Sequence, residues 1–188
     1  MRIIKAQRKN IEEAVKEINH GRVIICPTDT VYGFLADASD KKAVDKIFKI
    51  KKRPKIKPLA VFVKDLKMAK ELAEIGEREI KIIKKKWPGK YTFILQRKKG
   101  IKIYGKAKNT IALRIPKYKF LNDLIKKINK PLVQTSVNIS NNPPLTKISD
   151  IIEQFSKFDI LVIDGGNLRK PKPSKIIDLS QDKIKILR

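Results

Sequence analysis

Short apolar runs alternate with amphipathic helical segments along almost the whole chain, and this alternation limits the folds open to it. Val23-Ile24-Ile25-Cys26 reads as a buried strand ending at Pro27, and residues 59–63 as another. Between them, Ser39 or Asp40 opens a helix whose apolar stripe is Ala43, Val44, Ile47 and Phe48. Upstream, Asn10 stands where a helix cap belongs, with Ile11, Ala14, Val15 and Ile18 on one face. Glu12 and Glu13 lie near that helix's positive end, and Gly21 stops it. Residues 66–86 hold two short helices separated near Gly76 and closed by Trp87-Pro88-Gly89. Further strands are expected at 91–96, 111–115, 132–135, 160–163, 176–179 and 184–187, and further helices at 120–128 and 148–155. No internal repeat or low-complexity linker interrupts this order, and the basic turn 168–172 is the best candidate for a mobile segment. The reading is one α/β domain over residues 1–188, with a mixed sheet, flanking helices and no second C-terminal domain.

Composition narrows the function. With 41% hydrophobic residues among 188, the chain can bury a core, which argues against intrinsic disorder. Its 45 Lys+Arg against 19 Asp+Glu leave a net charge of +26, a field that draws polyanions such as nucleotides, RNA, DNA or acidic membranes. Many of these lysines must simply be solvated. One Cys excludes an internal disulfide, and with one His it cannot build a Cys/His zinc site. A Ser-His-Asp or Cys-His mechanism would have to use His20, which falls beside Gly21 in a helix-to-strand turn. The segment MRIIKAQRKN has no signal-peptide core, and no apolar run approaches membrane-spanning length. A soluble, cytoplasmic protein is expected. The abundance of Ile and Lys suits either a thermophile's ion-pair surface or an AT-rich genome.

Short polar residues collect directly after strands, where open α/β sheets bind ligands. Pro27-Thr28-Asp29-Thr30-Val31-Tyr32-Gly33 offers two hydroxyls and a carboxylate, with Gly33 permitting close backbone approach. As an ordinary turn, the same residues would satisfy their own backbone. Lys51, Lys52, Arg53, Lys55 and Lys57 follow a helix, and Pro54 and Pro58 stiffen the connection. Arg53 and Lys57 suit phosphates, one as a planar fork and the other as a point charge. In so basic a chain any single lysine is more simply read as surface. Residues 135–142, Thr-Ser-Val-Asn-Ile-Ser-Asn-Asn, carry hydroxyls and amides fit for a ribose, base or phosphate, or for a turn. Thr110 and Arg114 are four apart on a strand and share a face, while Ser174 and Arg188 bracket the last two strands. Neither the dinucleotide glycine loop nor the P-loop is present.

Six blocks, in order and spanning nearly the whole chain, resemble the YrdC-like family of threonylcarbamoyl-adenylate synthases. They are PTDTVYGF (27–34), KKRPKIKPL (51–59), WPGKYTFIL (87–95), TIALRIP (110–116), PLVQTSVNIS (131–140) and PSKIIDL (173–179). The resemblance implies a twisted open mixed sheet with a basic concave cleft. It also implies ATP-dependent synthesis of L-threonylcarbamoyladenylate from L-threonine and bicarbonate, with release of pyrophosphate. A separate complex would transfer the threonylcarbamoyl group to the tRNA adenosine beside the anticodon. By resemblance, Arg53, Lys57, Thr110, Asn138, Thr146 and Arg188 contact ATP, with Arg53 and Lys57 acting electrostatically. Thr30, Arg114, Ser136 and Ser174 contact threonine or the threonylcarbamoyl group. Mg²⁺ arrives with ATP, and no protein side chain is expected to ligate it. Three departures from the family pattern stand out: a family histidine is replaced by Phe62; the Ser-Ala-Asn and Pro-Ser-Thr triplets read Ser136-Val137-Asn138 and Pro173-Ser174-Lys175; and the longer C-terminal extension or second domain of some relatives is not expected here.

This chemistry needs no Cys or His nucleophile, because the substrates supply the nucleophiles; it needs positioning, cations and shelter. A rival reading is a non-enzymatic protein of the same fold that binds double-stranded RNA or tRNA through its basic surface. With 6% aromatic residues it lacks an obvious stacking platform. Carbamoyl transfer of the hydrogenase-maturation type is disfavoured by the single Cys, and a nucleotide-binding paralogue without this product is the remaining alternative.

Overall fold

The computed structural model describes residues 1–168 and 172–187. Ten strands form one mixed sheet among these residues: β1 (Arg2–Lys5), β2 (Ile24–Cys26), β3 (Gly33–Asp37), β4 (Ala60–Phe62), β5 (Tyr91–Gln96), β6 (Thr110–Arg114), β7 (Leu132–Ser136), β8 (Leu161–Asp164), β9 (Lys175–Asp178) and β10 (Lys185–Ile186). Their order is β1-β8-β2-β3-β7-β4-β6-β5-β9-β10. The β1/β8, β2/β8, β4/β6 and β5/β9 pairs are parallel and the rest antiparallel. Six helices flank the sheet: α1 (Ile11–Asn19), α2 (Lys41–Lys51), α3 (Leu66–Leu72), α4 (Glu77–Ile83), α5 (Lys119–Ile128) and α6 (Ile148–Phe155).

Alternate side chains along each strand point to opposite faces. Ile25, Phe34, Ala36, Val61, Phe93, Leu113, Val133 and Val162 point to one face, where α2, α3, α4 and α6 cover them with residues such as Ile47, Phe48, Ala69, Ile83, Ile151 and Phe155. The opposite face is treated unequally. Ile24, Cys26, Leu35, Leu132, Leu161 and Ile163 lie under α1 and α5, through Ala14, Ile18, Leu121, Leu124 and Ile125. Past Leu132 and Phe62 that cover ends. Over β7, β4, β6, β5 and β9 the same face is open and carries a cavity. The core therefore lies on both sides of the left half of the sheet order and on one side of the right half.

Most elements form where the sequence pattern expects them. Asp40 caps α2 by accepting from the backbone N–H groups of Lys42 (2.8 Å) and Ala43 (3.1 Å). Asn10 stands at the N-cap position of α1 without capping it; its Nδ2 donates to Lys5 O at 2.8 Å and ties the helix start to β1. Two strands were not expected. β1 is an edge strand with only two apolar residues, and Ile3 remains 46% exposed. β3 is buried throughout, yet Gly33, Ala36 and Asp37 are poor strand formers, so tertiary pairing with β2 and β7 overrides local preference. Gly33 is thus a strand residue, and a Cβ there would meet Thr135 O at an ordinary 3.5 Å. The turn 168–172 lies for the most part outside the described residues.

Candidate active site

The open half of the sheet face becomes a cleft because its floor is small. Ala60 pairs with both Ala112 and Gln134, and Ala112 with Ile94, so these residues stand side by side on one face. Around this alanine floor an inner cavity of about 280 Å³ is lined by Thr30, Arg53, Thr92, Arg114, Ser136 and Ser174, among others. An outer cavity of about 740 Å³ shares Thr30 and Pro173 with it and is rimmed by Asp29, Gly89 and lysines 85, 86, 90, 172 and 175.

Each wall has a local cause. The loop after β2 is knotted by Thr28, whose Oγ1 donates to Val31 O (2.7 Å) and accepts from Thr30 N (3.0 Å). Tyr32 anchors the loop's far end: its hydroxyl donates to Gly166 O (2.7 Å) and accepts from Gly165 N (2.9 Å). A Cβ at Gly165 would lie 2.8 Å from Pro27 Cγ, so the close approach of these two segments requires glycine. Arg114, at the end of β6, reaches under the loop. Its Nε donates to Gly89 O (3.0 Å), Nη1 to Thr30 Oγ1 (3.2 Å) and Nη2 to Asp29 Oδ1 (2.5 Å). Arg114 also stacks over Phe62, 5.6 Å from the ring centroid, where α5 meets the cleft. Phe62 is therefore a floor under the arginine.

The opposite wall is the loop following β7. Lys51 at the end of α2 is 1% exposed, and its Nζ donates to Ser136 O (2.5 Å), Asn138 O (2.9 Å) and Asn138 Oδ1 (2.8 Å). Ser136 Oγ donates to the same Asn138 Oδ1 at 2.7 Å, and Asn138 Nδ2 donates to Ile139 O and Asn142 O. Burial, aided by the charge of Arg53, brings the Lys51 ammonium down to a pKa of about 7. Arg53 faces the inner cavity while its Nε and Nη2 donate to Lys57 O (3.0 Å) and Pro58 O (2.9 Å), and desolvation lowers its pKa.

The structure brings together Thr30, Arg53, Arg114, Ser136 and Ser174; the Ser174 hydroxyl meets Thr92 Oγ1 at 2.9 Å. Lys57 is exposed at the rim, 3.4 Å from Asn141 Oδ1. Thr110 lies on the same strand face, two residues before Ala112 and outside the cavity lining. Asn138 is buried and commits its amide to the loop, and the carbonyl of Thr146 accepts from Leu168 N. Arg188 lies outside the described residues. Sequence reasoning noted the Asp29 carboxylate and placed Lys51 in a basic cluster without giving either a site role, and it passed over the alanine floor. Lys51 had a signal, since it falls four residues after Ile47 on the apolar stripe of α2. His20 is exposed beyond α1, its Nδ1 2.7 Å from Lys16 O, and the Cys26 thiol is buried with its pKa pushed up by desolvation.

Comparison with known proteins gives this architecture its place. A Methanocaldococcus jannaschii protein is 38% identical over 182 residues, covering 97% of this chain and 86% of its own length. A Pyrococcus abyssi protein named threonylcarbamoyl-AMP synthase is 34% identical over 188 residues, and this chain spans 55% of it. The crystal structure of P. abyssi Sua5 complexed with L-threonine superposes with a TM-score of 0.88 at 31% identity, over 100% of this chain and 56% of that one. The Sua5/YciO/YrdC family model, described as "Telomere recombination", matches residues 16–188 and so takes in both cleft walls, the alanine floor and the Lys51 lock. This chain belongs to the Sua5/YciO/YrdC family.

Proposed function

We propose that the chain condenses L-threonine, bicarbonate and ATP into threonylcarbamoyladenylate and pyrophosphate, for the modification of the adenosine next to a tRNA anticodon. One observation carries the reading: hydroxyls of Thr30, Ser136 and Ser174 converge with Arg53 and Arg114 over a floor of alanines. The name and the threonine complex of the P. abyssi relatives support it.

In this reaction the threonine ammonium and bicarbonate give a carbamate, water and one proton. A carbamate oxygen then attacks the α-phosphorus of ATP, and the bond to pyrophosphate breaks. The residues act by placing and shielding. Thr30, Arg114, Ser136 and Ser174 hold the amino acid. Arg53 and Lys57 set positive charge against the triphosphate; Thr110, Asn138, Thr146 and Arg188 complete the nucleotide end. Mg²⁺ enters with ATP, held by phosphates and water. Transfer to tRNA belongs to a separate complex, with the basic surface available for tRNA.

The test is incubation with ATP, labelled bicarbonate and L-threonine, following adenylate and pyrophosphate. Both products are expected, and both vanish without threonine. Arg53→Ala is expected to lower pyrophosphate release by about 10²–10³-fold; near-normal turnover would remove Arg53 from the site. Salt-sensitive tRNA binding with no ATP-dependent product would instead favour the RNA-binding reading.

A further inference from the structure

Every charged side chain that lines the two cavities is a cation except one. Among the described lining residues, Arg53, Arg114 and five lysines face a single carboxylate, Asp29. Its side chain is 7% exposed, and the Thr28 knot fixes the backbone that carries it. Arg114 takes only half of this carboxylate, the Oδ1 atom. The other oxygen, Oδ2, is buried with no hydrogen-bond partner among the described residues. A buried acceptor left in this state is costly, and at a ligand cleft its natural complement is a donor that arrives with the ligand.

The surroundings decide which donor. A carboxylate, phosphate or carbamate has many cations to choose from in this cleft. Among the described residues a positively charged amine has one place where it meets an opposite charge, and that place adjoins Thr30 and Arg114. We propose that Asp29 Oδ2 accepts the α-ammonium of the amino-acid substrate and so makes the site select α-amino acids over their α-hydroxy counterparts. This inference rests on the proposed function, and it assigns a specificity-determining residue within that same site.

The experiment is calorimetric titration of the full chain with L-threonine and with 2,3-dihydroxybutanoate of matching stereochemistry, in which hydroxyl replaces the amine. Wild-type protein is expected to prefer threonine by about 10- to 100-fold, the worth of one charge-assisted hydrogen bond. In Asp29→Asn, which keeps an oxygen for Arg114, the preference is expected to collapse to within about threefold while ATP affinity stays unchanged. Equal binding of the two acids by wild type overturns the inference and leaves the proposed function standing, as does an undiminished preference in the variant. Binding of neither acid overturns the proposed function and the inference with it. If Asp29→Asn does not fold, the wild-type ratio alone decides.

Discussion

Lys51 shows how a buried cation can serve structure beside a candidate site. Its ammonium bonds to two carbonyls and an amide oxygen, and among the described residues no carboxylate neutralises it. Replacing it with Met keeps the volume and removes a donor from all three acceptors, of which Asn138 Oδ1 keeps its bond from Ser136 Oγ, at about 1–3 kcal/mol for each buried group left unsatisfied, less the relief of desolvating no charge. Lys51→Met is therefore expected to lose roughly 2–4 kcal/mol in urea unfolding, with a large loss of turnover as the Ser136–Asn142 loop loosens. The pH dependence has a definite sign. The folded chain releases this proton near pH 7, whereas the unfolded chain keeps it until about 10.5. The unfolded state binds more protons in that window, so the group's contribution to stability rises with pH across it. The wild-type advantage over Lys51→Met should be larger at pH 9 than at pH 6; a shrinking gap would contradict the lowered pKa. At this scale the sequence was half legible. The strand-end hydroxyls stood out because polar clusters after apolar runs are visible locally. The Asp29–Arg114 pair spans 85 positions, and no local pattern can join such residues.

At the scale of elements, α2 does two jobs from one end. Its last residue locks the β7 loop, and Arg53, two residues on, enters the cavity. The cap at its start is ordinary: Asp40→Ala should cost about 1 kcal/mol in unfolding and leave the cleft intact. The floor strands respond the other way. Ala112 is only partly buried, so Leu there adds three carbons to the cavity with little change in stability. We expect Ala112→Leu to stay within about 0.5 kcal/mol of wild type and to abolish threonine binding in calorimetry. Helices such as 148–155 were legible because their apolar stripes repeat at 3.6 residues; α6 has those bounds. β3 was not, because a strand buried by neighbours on both sides needs no strand-forming sequence of its own.

The whole molecule carries +26, and its ion pairs lie mostly at exposed positions such as Lys41–Asp45 and Lys119–Asp123. Such pairs contribute little, whereas self-repulsion acts on every cation. Raising NaCl from about 0.01 to 0.5 M should therefore raise the melting temperature, since the screening length falls from about 30 Å to a few ångströms. A drop on adding salt would mean that attractive pairs dominate. The sheet face that α1 and α5 cover only in part has one more consequence. Folding energy is concentrated under the helices, while the bare strands carry the candidate site, so the two properties can drift independently in evolution. A family with this layout can exchange one substrate for another by rewriting a few side chains on four or five strands, without renegotiating the core. Stability and activity changes made on opposite halves should accordingly add, with little coupling between them.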